Sequence, residues 1–498
     1  MKKYLIGIDV GTSATKAALY DTEGNEIDSV SCEYPLYQPE NGWAEQEPED
    51  WWRATSEALK RLTASVCDGE IAGVGLTGQM HSLVMLGKDD KPLRRAILWC
   101  DGRTSKECEL IEETVGHERL IEITANPALP GFTASKIVWV KNHQPEIYEK
   151  CAHILLPKDY IRLKLTGEYA TDVSDASGMQ LFNVKKREHS KEICEALGID
   201  YSLLGKVYES SEISGYVTKQ ASEATGLPVG CIVAAGASDN AAAAIGVGVC
   251  ADGDAFTTVG TSGVVFVHTE EPKIDPLGRV HTFCAAVPGE WHVKGVTQAA
   301  GLSVSHFKEI FGKDTPYGEY DDACLALPIG SEKLIYLPYL MGERTPVLDS
   351  NARGVFFGLS ALHTKEHMAR AVYEGVAFSL YSCLDVFREM NITTKGMAMC
   401  GGGAKGKLLP PMLSDVYGLK ISPDNSGKGA SLGAAILAGC AAGIYDSVRE
   451  GCRRAVRLEK EILPDMKKRE KYLEFYGIYK SLYPVLKGAF KSLSEVKK

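Results

Sequence analysis

The sequence lacks several of the patterns that assign a chemistry at sight. It has no GxxxxGK[ST] run, which excludes the phosphate-binding loop of P-loop proteins. Its 14 cysteines are scattered, with no CxxC pair and no Cys/His cluster at zinc spacing. That excludes a zinc site and a disulfide framework, and implies reduced thiols packed as small hydrophobes in the cytosol. It has no Lys/Arg block, and its net charge is −10. Nucleic acid is therefore not an expected partner, and any anionic ligand must be met by local donors.

Nothing in it reads as a membrane span or a leader. The start, MKKYLIGIDVGTS, has a short apolar run interrupted by Asp9. The segment 231–250, CIVAAGASDNAAAAIGVGVC, is long enough to cross a bilayer, but Asp239 and Asn240 stand at its centre among Ala and Gly. The expectation is a cytoplasmic chain with one acid set inside a run of very small side chains.

What is present reads as mixed α/β. With 498 residues the chain is too long for one core, so two domains are expected. YLIGID, ATKAALYD and EIDSVSCEY read as three strands joined by the turns VGTS and TEGN. EPEDWWRATSEALKRLTAS reads as a helix, with Pro48 in its first turn and Trp51, Trp52, Ala58, Leu59 and Leu62 on one apolar face. IAGVGLTG returns as a buried strand. VGTS then recurs, at Val10–Ser13 and Val259–Ser262, 249 residues apart and each time between two strands. The repeat implies two related domains, 1–246 and 247–498, joined near Ile245–Gly253. In the second, KLIYLPYL reads as a strand, TKEHMARAVYEGVAFSLYSCLDVFREM as a long helix and GMAMCGGGA as a strand entering a loop. The tail reads as an amphipathic helix whose stripe of Tyr472, Phe475, Tyr476, Tyr479 and Tyr483 is packing.

The chemistry-bearing stretches each have a plain reading beside a functional one. A turn of Gly and hydroxyl residues is a hairpin turn when alone. Duplicated across one cleft, Thr12–Ser13 and Gly260–Thr261 can point backbone N–H groups at phosphate oxygens. Asp9 ends the strand before the first turn and can hold Mg2+, directly or through water. Gly73, Gly75 and Gly78 spell GxGxxG after a strand, but no helix follows, so the dinucleotide reading fails. GGGA (Gly401–Ala404) and the small-residue helix ASLGAAILAG permit close backbone approach, to a flat ligand or to another element. GQMHS sets Met80 and His81 at a strand end. AILWCDGRT adds Trp99, Asp101 and Arg103, an aromatic wall with a polar fork that suits a sugar.

On these residues the chain resembles the FGGY carbohydrate kinases. GFTASKIVWVKNH (Gly131–His143) and GVFFGLSALHTKEHMARAVYE (Gly354–Glu374) fit the family's two signatures. GQMH, LLPKDYIRLKLTGEYATDVSDASG, SDNAA, VGTSG, YLPYLMGERTP and GGGA follow in the family's order, from Ile6 to about Gly443. The resemblance implies two actin-like, ribonuclease-H-like α/β domains related by duplication, with a ligand cleft between them. It implies ATP-dependent phosphorylation of a sugar, most closely D-xylulose at its 5-hydroxyl. Another ketose, gluconate or glycerol remains the alternative. By the same resemblance Asp239 is the base that takes the hydroxyl proton, with Asp9 beside it on Mg2+. Met80, His81, Asp239, Asn240, Trp99 and Arg103 face the sugar. Thr12, Ser13, Gly260, Thr261, Gly301, Gly402, Gly403 and Ala404 face the nucleotide. The implied partners are a small sugar and MgATP, with a homodimer left open.

The chain departs from the family at Ser82, where glycine is common, and at Cys100, where Asn is frequent. It departs further at Gly406, Leu409 and Pro411, which stand in place of Ser or Asn, Trp and Gln. Gly406 has no side chain for ribose or adenine, and Pro410–Pro411 are expected to delay the helix there. Two other classes remain beside the kinase: a nucleotide-gated binding protein on an actin-like scaffold, disfavoured by the intact GQMH and SDNAA, and a dinucleotide oxidoreductase resting on GVGLTG alone.

Overall fold

The computed structural model describes residues 2–66, 69–424 and 426–496. Two mixed sheets carry the fold. In the first, β1 (Lys2–Val10), β2 (Ala14–Asp21) and β3 (Glu26–Glu33) form an antiparallel meander. β4 (Gly69–Gly78) then joins the free side of β1 in parallel, and β5 (Ile232–Ala234) runs parallel to β4. The second sheet repeats this order. β6 (Asp254–Val259) and β7 (Gly263–Thr269) form a hairpin, and β8 (His281–Cys284) and β9 (Trp291–Thr297) extend it antiparallel. β10 (Gly396–Cys400) and β11 (Ile421–Pro423) add the parallel side. The two VGTS segments occupy equivalent places, at the β1–β2 and β6–β7 turns.

The helices follow their apolar faces. α1 (Pro48–Ala64) starts at Pro48 and buries Trp51, Ala54, Ala58, Leu59 and Leu62 against the first sheet. α2 (Asp239–Gly246) and α3 (Gly301–Phe311) start at the cleft. α4 (Lys365–Glu389) is the long helix of the second core, begun by Thr364, whose backbone N–H donates to His367 Nδ1 at 3.2 Å. α5 (Leu409–Tyr417), α6 (Gly429–Ala441) and α7 (Met466–Glu495) complete the second half. The tail stripe is core: Tyr472, Tyr476 and Tyr479 are buried, and the last two pack on Phe378 with ring centroids 5.8 and 5.6 Å away.

Two expectations need correction. The KLIYLPYL strand shrinks to Ile335–Leu337, paired with Val355–Phe357, because Pro338 has no N–H with which to continue a ladder. Pro410 and Pro411 do not delay α5. The helix starts at Leu409 and carries both prolines in its first turn, where backbone N–H groups have no intrahelical acceptor to lose. Among the described residues every cysteine is a free thiol, most of them buried; Cys67 lies outside the described residues. Among those residues no helix is long and apolar enough to cross a membrane.

One contact ties the halves together. α6 comes from the second half of the chain but lies on β1 and β4 of the first sheet and on α2. Backbone meets backbone there. A Cβ added at Gly7 would sit 1.8 Å from Ser431 O, one at Gly75 1.8 Å from Ala434 O, and one at Gly433 1.8 Å from Ala242 O. This accounts for most of the GxGxxG pattern: Gly75, and less tightly Gly73, clear a path for α6. In exchange, Ala244 of α2 and Val247 beyond it pack with Phe256, Phe266 and Ala398 of the second sheet.

Gly433→Ala is therefore expected to cost at least about 1–3 kcal/mol of stability in chemical denaturation, the usual range for overpacking. Gly477→Ala, in α7 with open space around it, is expected to be neutral or to stabilise by up to about 1 kcal/mol. Equal effects at the two positions would show that the α6 contact does not limit stability.

Candidate active site

Strand register brings two distant acids to one edge. Asp9 stands opposite Lys16 on β2 and Thr77 on β4. The two-residue strand Ala237–Ser238 pairs with Thr77–Gly78 on the other side of β4. Asp239 follows at once as the first residue of α2. Gly236, with φ +74°, makes the turn beforehand, where a Cβ would lie 2.0 Å from Leu76 O. Asn240 holds the acid: its backbone N–H and its Nδ2 both donate to Asp239 Oδ1 at 2.6 Å. Oδ2 has no protein donor among the described residues. Both acids keep partial solvent access. Burial, then the neighbouring Asp239 carboxylate, pushes the Asp9 carboxyl up to about 7 against the pull of Lys16.

Beside the acids stands an apolar wall. Met80 is buried with Phe132 and Phe283. His81 adopts a left-handed backbone, φ +68°, uncommon outside glycine. Its ring packs edge-on to Phe132 at 4.7 Å. Its Nδ1 lies 2.9 Å from Gly178 O, so Nδ1 carries the proton. Burial, with Lys294 and Lys136 nearby, pushes His81 well below its ordinary range and keeps it neutral. The remaining nitrogen, Nε2, is then an acceptor with no protein partner among the described residues. Trp99 is 40% exposed, and its Nε1–H donates to Thr12 Oγ1 at 3.1 Å. Ser82 is buried and accepts from the Trp99 backbone N–H at 3.2 Å, so it anchors Trp99.

Arg103 is placed differently from expectation. Its side chain is 1% accessible, bound to Asp101 and Glu45 and sandwiched against Trp43, 3.6 Å from the ring centre. It braces the strand end that carries Trp99 and presents no exposed fork to a sugar. The sequence pattern cannot reveal this, because Trp43 and Glu45 come from a distant segment whose short strand Glu45–Gln46 pairs with Ala96–Ile97.

The two turns share one property. Thr12 and Ser13, and likewise Thr261 and Ser262, carry backbone N–H groups with no protein acceptor among the described residues. Such paired donors suit an anion. The second turn opens onto a pocket of about 560 Å³ lined by Gly260, Thr261, Gly301, Gly402, Gly403, Gly406 and Leu409, with Asp321 and Tyr373. Gly301 N–H donates to Gly260 O at 2.8 Å and Leu302 N–H to Thr261 O at 3.1 Å, seating the turn on the start of α3. Ala404 is buried and outside the lining. Gly406 faces the Asp321 carboxylate, which accepts from the Lys407 N–H at 2.8 Å.

Other supporting residues were not singled out from the sequence. Lys158 is fully buried among Asp159, Asp172 and Asp175, at 2.6, 2.8 and 3.3 Å. Asp172 holds Ser174 Oγ, which accepts from the Ser238 N–H at 3.0 Å, directly before Asp239. Lys136 donates to Pro130 O and Phe132 O, both at 3.0 Å, and so fixes the loop that seats Phe132. Lys294 reaches the wall from β9, with Nζ 3.6 Å from Met80 Sδ. The density of charge in the apolar KDYIRLKLTGEYATDVSD stretch was the available signal for the first group. For Lys294 there was none. No cluster of three or more His, Cys, Asp or Glu side chains fit to hold a metal occurs among the described residues.

The chain matches known proteins along nearly its whole length. The N-terminal domain of the FGGY family of carbohydrate kinases matches residues 4–246 and the C-terminal domain 255–442. A xylulose kinase of Bacillus subtilis (strain 168) is 38% identical over 498 residues, covering 100% of both chains. A solved structure described as a xyloylose kinase from Brucella ovis superposes with a TM-score of 0.92 at 33% identity, covering 98% of this chain and 100% of that one. A gluconate kinase from Lactobacillus acidophilus gives a TM-score of 0.94 at 30% identity, covering 99% and 100%.

The Asp9 shift carries a pH signature. A carboxyl raised above its unfolded value favours the fold fully below pH ~4 and loses that contribution as pH rises toward 7. Without metal or nucleotide, Asp9→Asn is expected to unfold at a higher Tm than the wild type at pH 8, with the gap closing toward pH 4. Thermal scans across pH check this, and a gap independent of pH would contradict it.

Proposed function

This chain belongs to the FGGY family of carbohydrate kinases, and from that premise we propose that it transfers the γ-phosphoryl group of ATP to the 5-hydroxyl of D-xylulose. The observation that carries the reading is the meeting of Asp239 with Asp9 at one sheet edge, between the Met80–His81 wall and the paired turns. The names of the full-length relatives support the choice of sugar.

In this reading the sugar lies against Met80, His81 and Trp99. Nε2 of neutral His81 accepts a hydrogen bond from a sugar hydroxyl. Asp239, held by Asn240 through one oxygen, turns the other toward the attacking hydroxyl. An ionised aspartate is a weak base for an alcohol in the ground state. It orients the hydroxyl and takes its proton as the O–P bond forms and the hydroxyl becomes acidic. The free N–H pairs of the two turns receive phosphate oxygens as charge develops on them. Adenosine occupies the pocket beside Gly301, Gly402 and Gly403. There Asp321 offers the ribose hydroxyls an acceptor that Gly406 lacks.

Mg2+ fits the acids present. It takes one or two carboxylates together with phosphate oxygens and water, and the Asp9–Asp239 repulsion is what a cation relieves. Asp9 would hold it, directly or through water, and when bound it neutralises charge on the phosphates. Water is kept from the phosphoryl group by the apolar wall of Met80, Phe132 and Phe283 on the sugar side.

Asp239→Asn is expected to lower sugar-dependent ADP release by at least about a thousandfold, in the upper range for a positioned base, while nucleotide binding by calorimetry stays within about threefold. Sugar-dependent release within tenfold of the wild type would remove Asp239 as the base. A coupled ADP assay over D-xylulose, other ketoses, gluconate and glycerol tests the sugar, and faster turnover of another of these would replace D-xylulose.

A further inference from the structure

Lys294 is a buried ammonium with no anionic partner among the described residues. It sits on β9, directly opposite His281 on β8, on the face that also carries Phe283 and His292. The residue is 6% exposed. An ammonium has three donors and no acceptor, and burying it without oxygen acceptors is costly. Yet its one protein hydrogen bond among the described residues goes to the Met80 thioether, a weak acceptor, at 3.6 Å. The face of Phe283 lies 4.9 Å from Nζ and supplies a cation–π contact. No carboxylate lies within ion-pair distance among the described residues. The neighbouring His81, His281 and His292 are held neutral by burial, so they add no compensating or competing charge.

The place of this group decides what it can do. Met80 and His81 belong to the first half of the chain, and Lys294 is carried by the second. The wall is therefore closed by a cation from across the cleft, within electrostatic range of Asp239. Burial lowers Lys294 to about 8, with Asp239 opposing, so it remains charged at neutral pH. An ammonium with spare donors discriminates by acceptor type. A carbonyl or carboxylate oxygen only accepts and meets it well. A hydroxyl must turn its own proton away.

We propose that Lys294 is a specificity-determining residue that donates to an acceptor-only oxygen of the substrate, the ketone oxygen of an open-chain ketose. The proposal rests on the sugar-kinase reading above and deepens it. It predicts preference for a ketose over the alditols formed by reducing its carbonyl, at equal chain length and with the same transferable hydroxyl.

The test compares the wild type, Lys294→Met and Lys294→Gln on D-xylulose, xylitol, D-arabinitol and D-gluconate, with ADP release and sugar binding by calorimetry both read. Lys294→Met keeps an unbranched apolar stem one atom shorter and removes the donors. It is expected to raise KM for D-xylulose at least tenfold and to change kcat less than threefold. KM for ATP should stay within twofold, and the ketose-over-alditol preference should disappear. Lys294→Gln, which keeps a donor, should retain part of that preference and carries the comparison should the methionine variant not fold. A merely structural lysine would instead shift Tm while leaving the sugar ratios intact, and unchanged ratios overturn the proposal without touching the D-xylulose reading. A wild type that prefers D-gluconate, with that preference lost in Lys294→Met, overturns the ketone assignment and the choice of D-xylulose but leaves Lys294 as the selecting cation. A wild type that discriminates among none of these sugars overturns both.

Discussion

The close backbone approach of α6 to β1, β4 and α2 is the constraint on which the rest of the structure depends. Four glycines, Gly7, Gly75, Gly246 and Gly433, stand where even a methyl group would strike a carbonyl oxygen. At such spacing the helix cannot slide sideways without collision, because close-packed interiors transmit strain rather than absorb it. α2 is gripped in the same contact, and Asp239 is its first residue. The position of the acid therefore follows from packing some distance away, at Gly246 on Gly429 and Gly433 on Ala242. The small-residue run 236–244 is the part of this arrangement visible from one side.

Beneath the acid a second device works by charge. Lys158, Asp159, Asp172, Asp175 and Arg162 form a buried ionic cluster whose hydrogen bonds end at Ser174 and the backbone before Asp239. Buried ion pairs contribute little net stability, since desolvation offsets attraction. Removing one partner leaves an uncompensated charge, so the group resists partial rearrangement. It holds the Ser238 backbone in one geometry, as α6 holds the helix behind it.

Much of this was legible in the sequence. Alternation gave the β1–β2–β3 meander, the 3.6-residue period gave α1, α4 and α7, and the VGTS repeat gave the duplicated order of strands. The FGGY signatures gave the two-domain kinase architecture. What could not be read were contacts made across long separations. Arg103 looked like a fork for a sugar because Glu45 and Trp43, which enclose it, come from a segment far away in the chain. Pro410 and Pro411 looked like a barrier because a helix's first turn, which needs no N–H acceptors, is decided by where the helix begins. Lys294 gave no signal at all. It sits in an ordinary strand, WHVKGVT, and gains its meaning from Met80, more than two hundred residues away, once the β8–β9 ribbon crosses to the first half.

The repeat is a symmetry of backbone and not of charge. The residue before the first VGTS is Asp9, and its counterpart before the second is Thr258. Both turns offer a pair of N–H groups with no protein acceptor among the described residues, yet the first follows Asp9 and the second follows Thr258, and the Lys294 ammonium beside Met80 comes from the second half. Two sheets with the same strand pairing around the turn thus carry unlike side chains at it. The duplication copies the turn but not its companion residue, so the two halves need not serve the same end of a ligand.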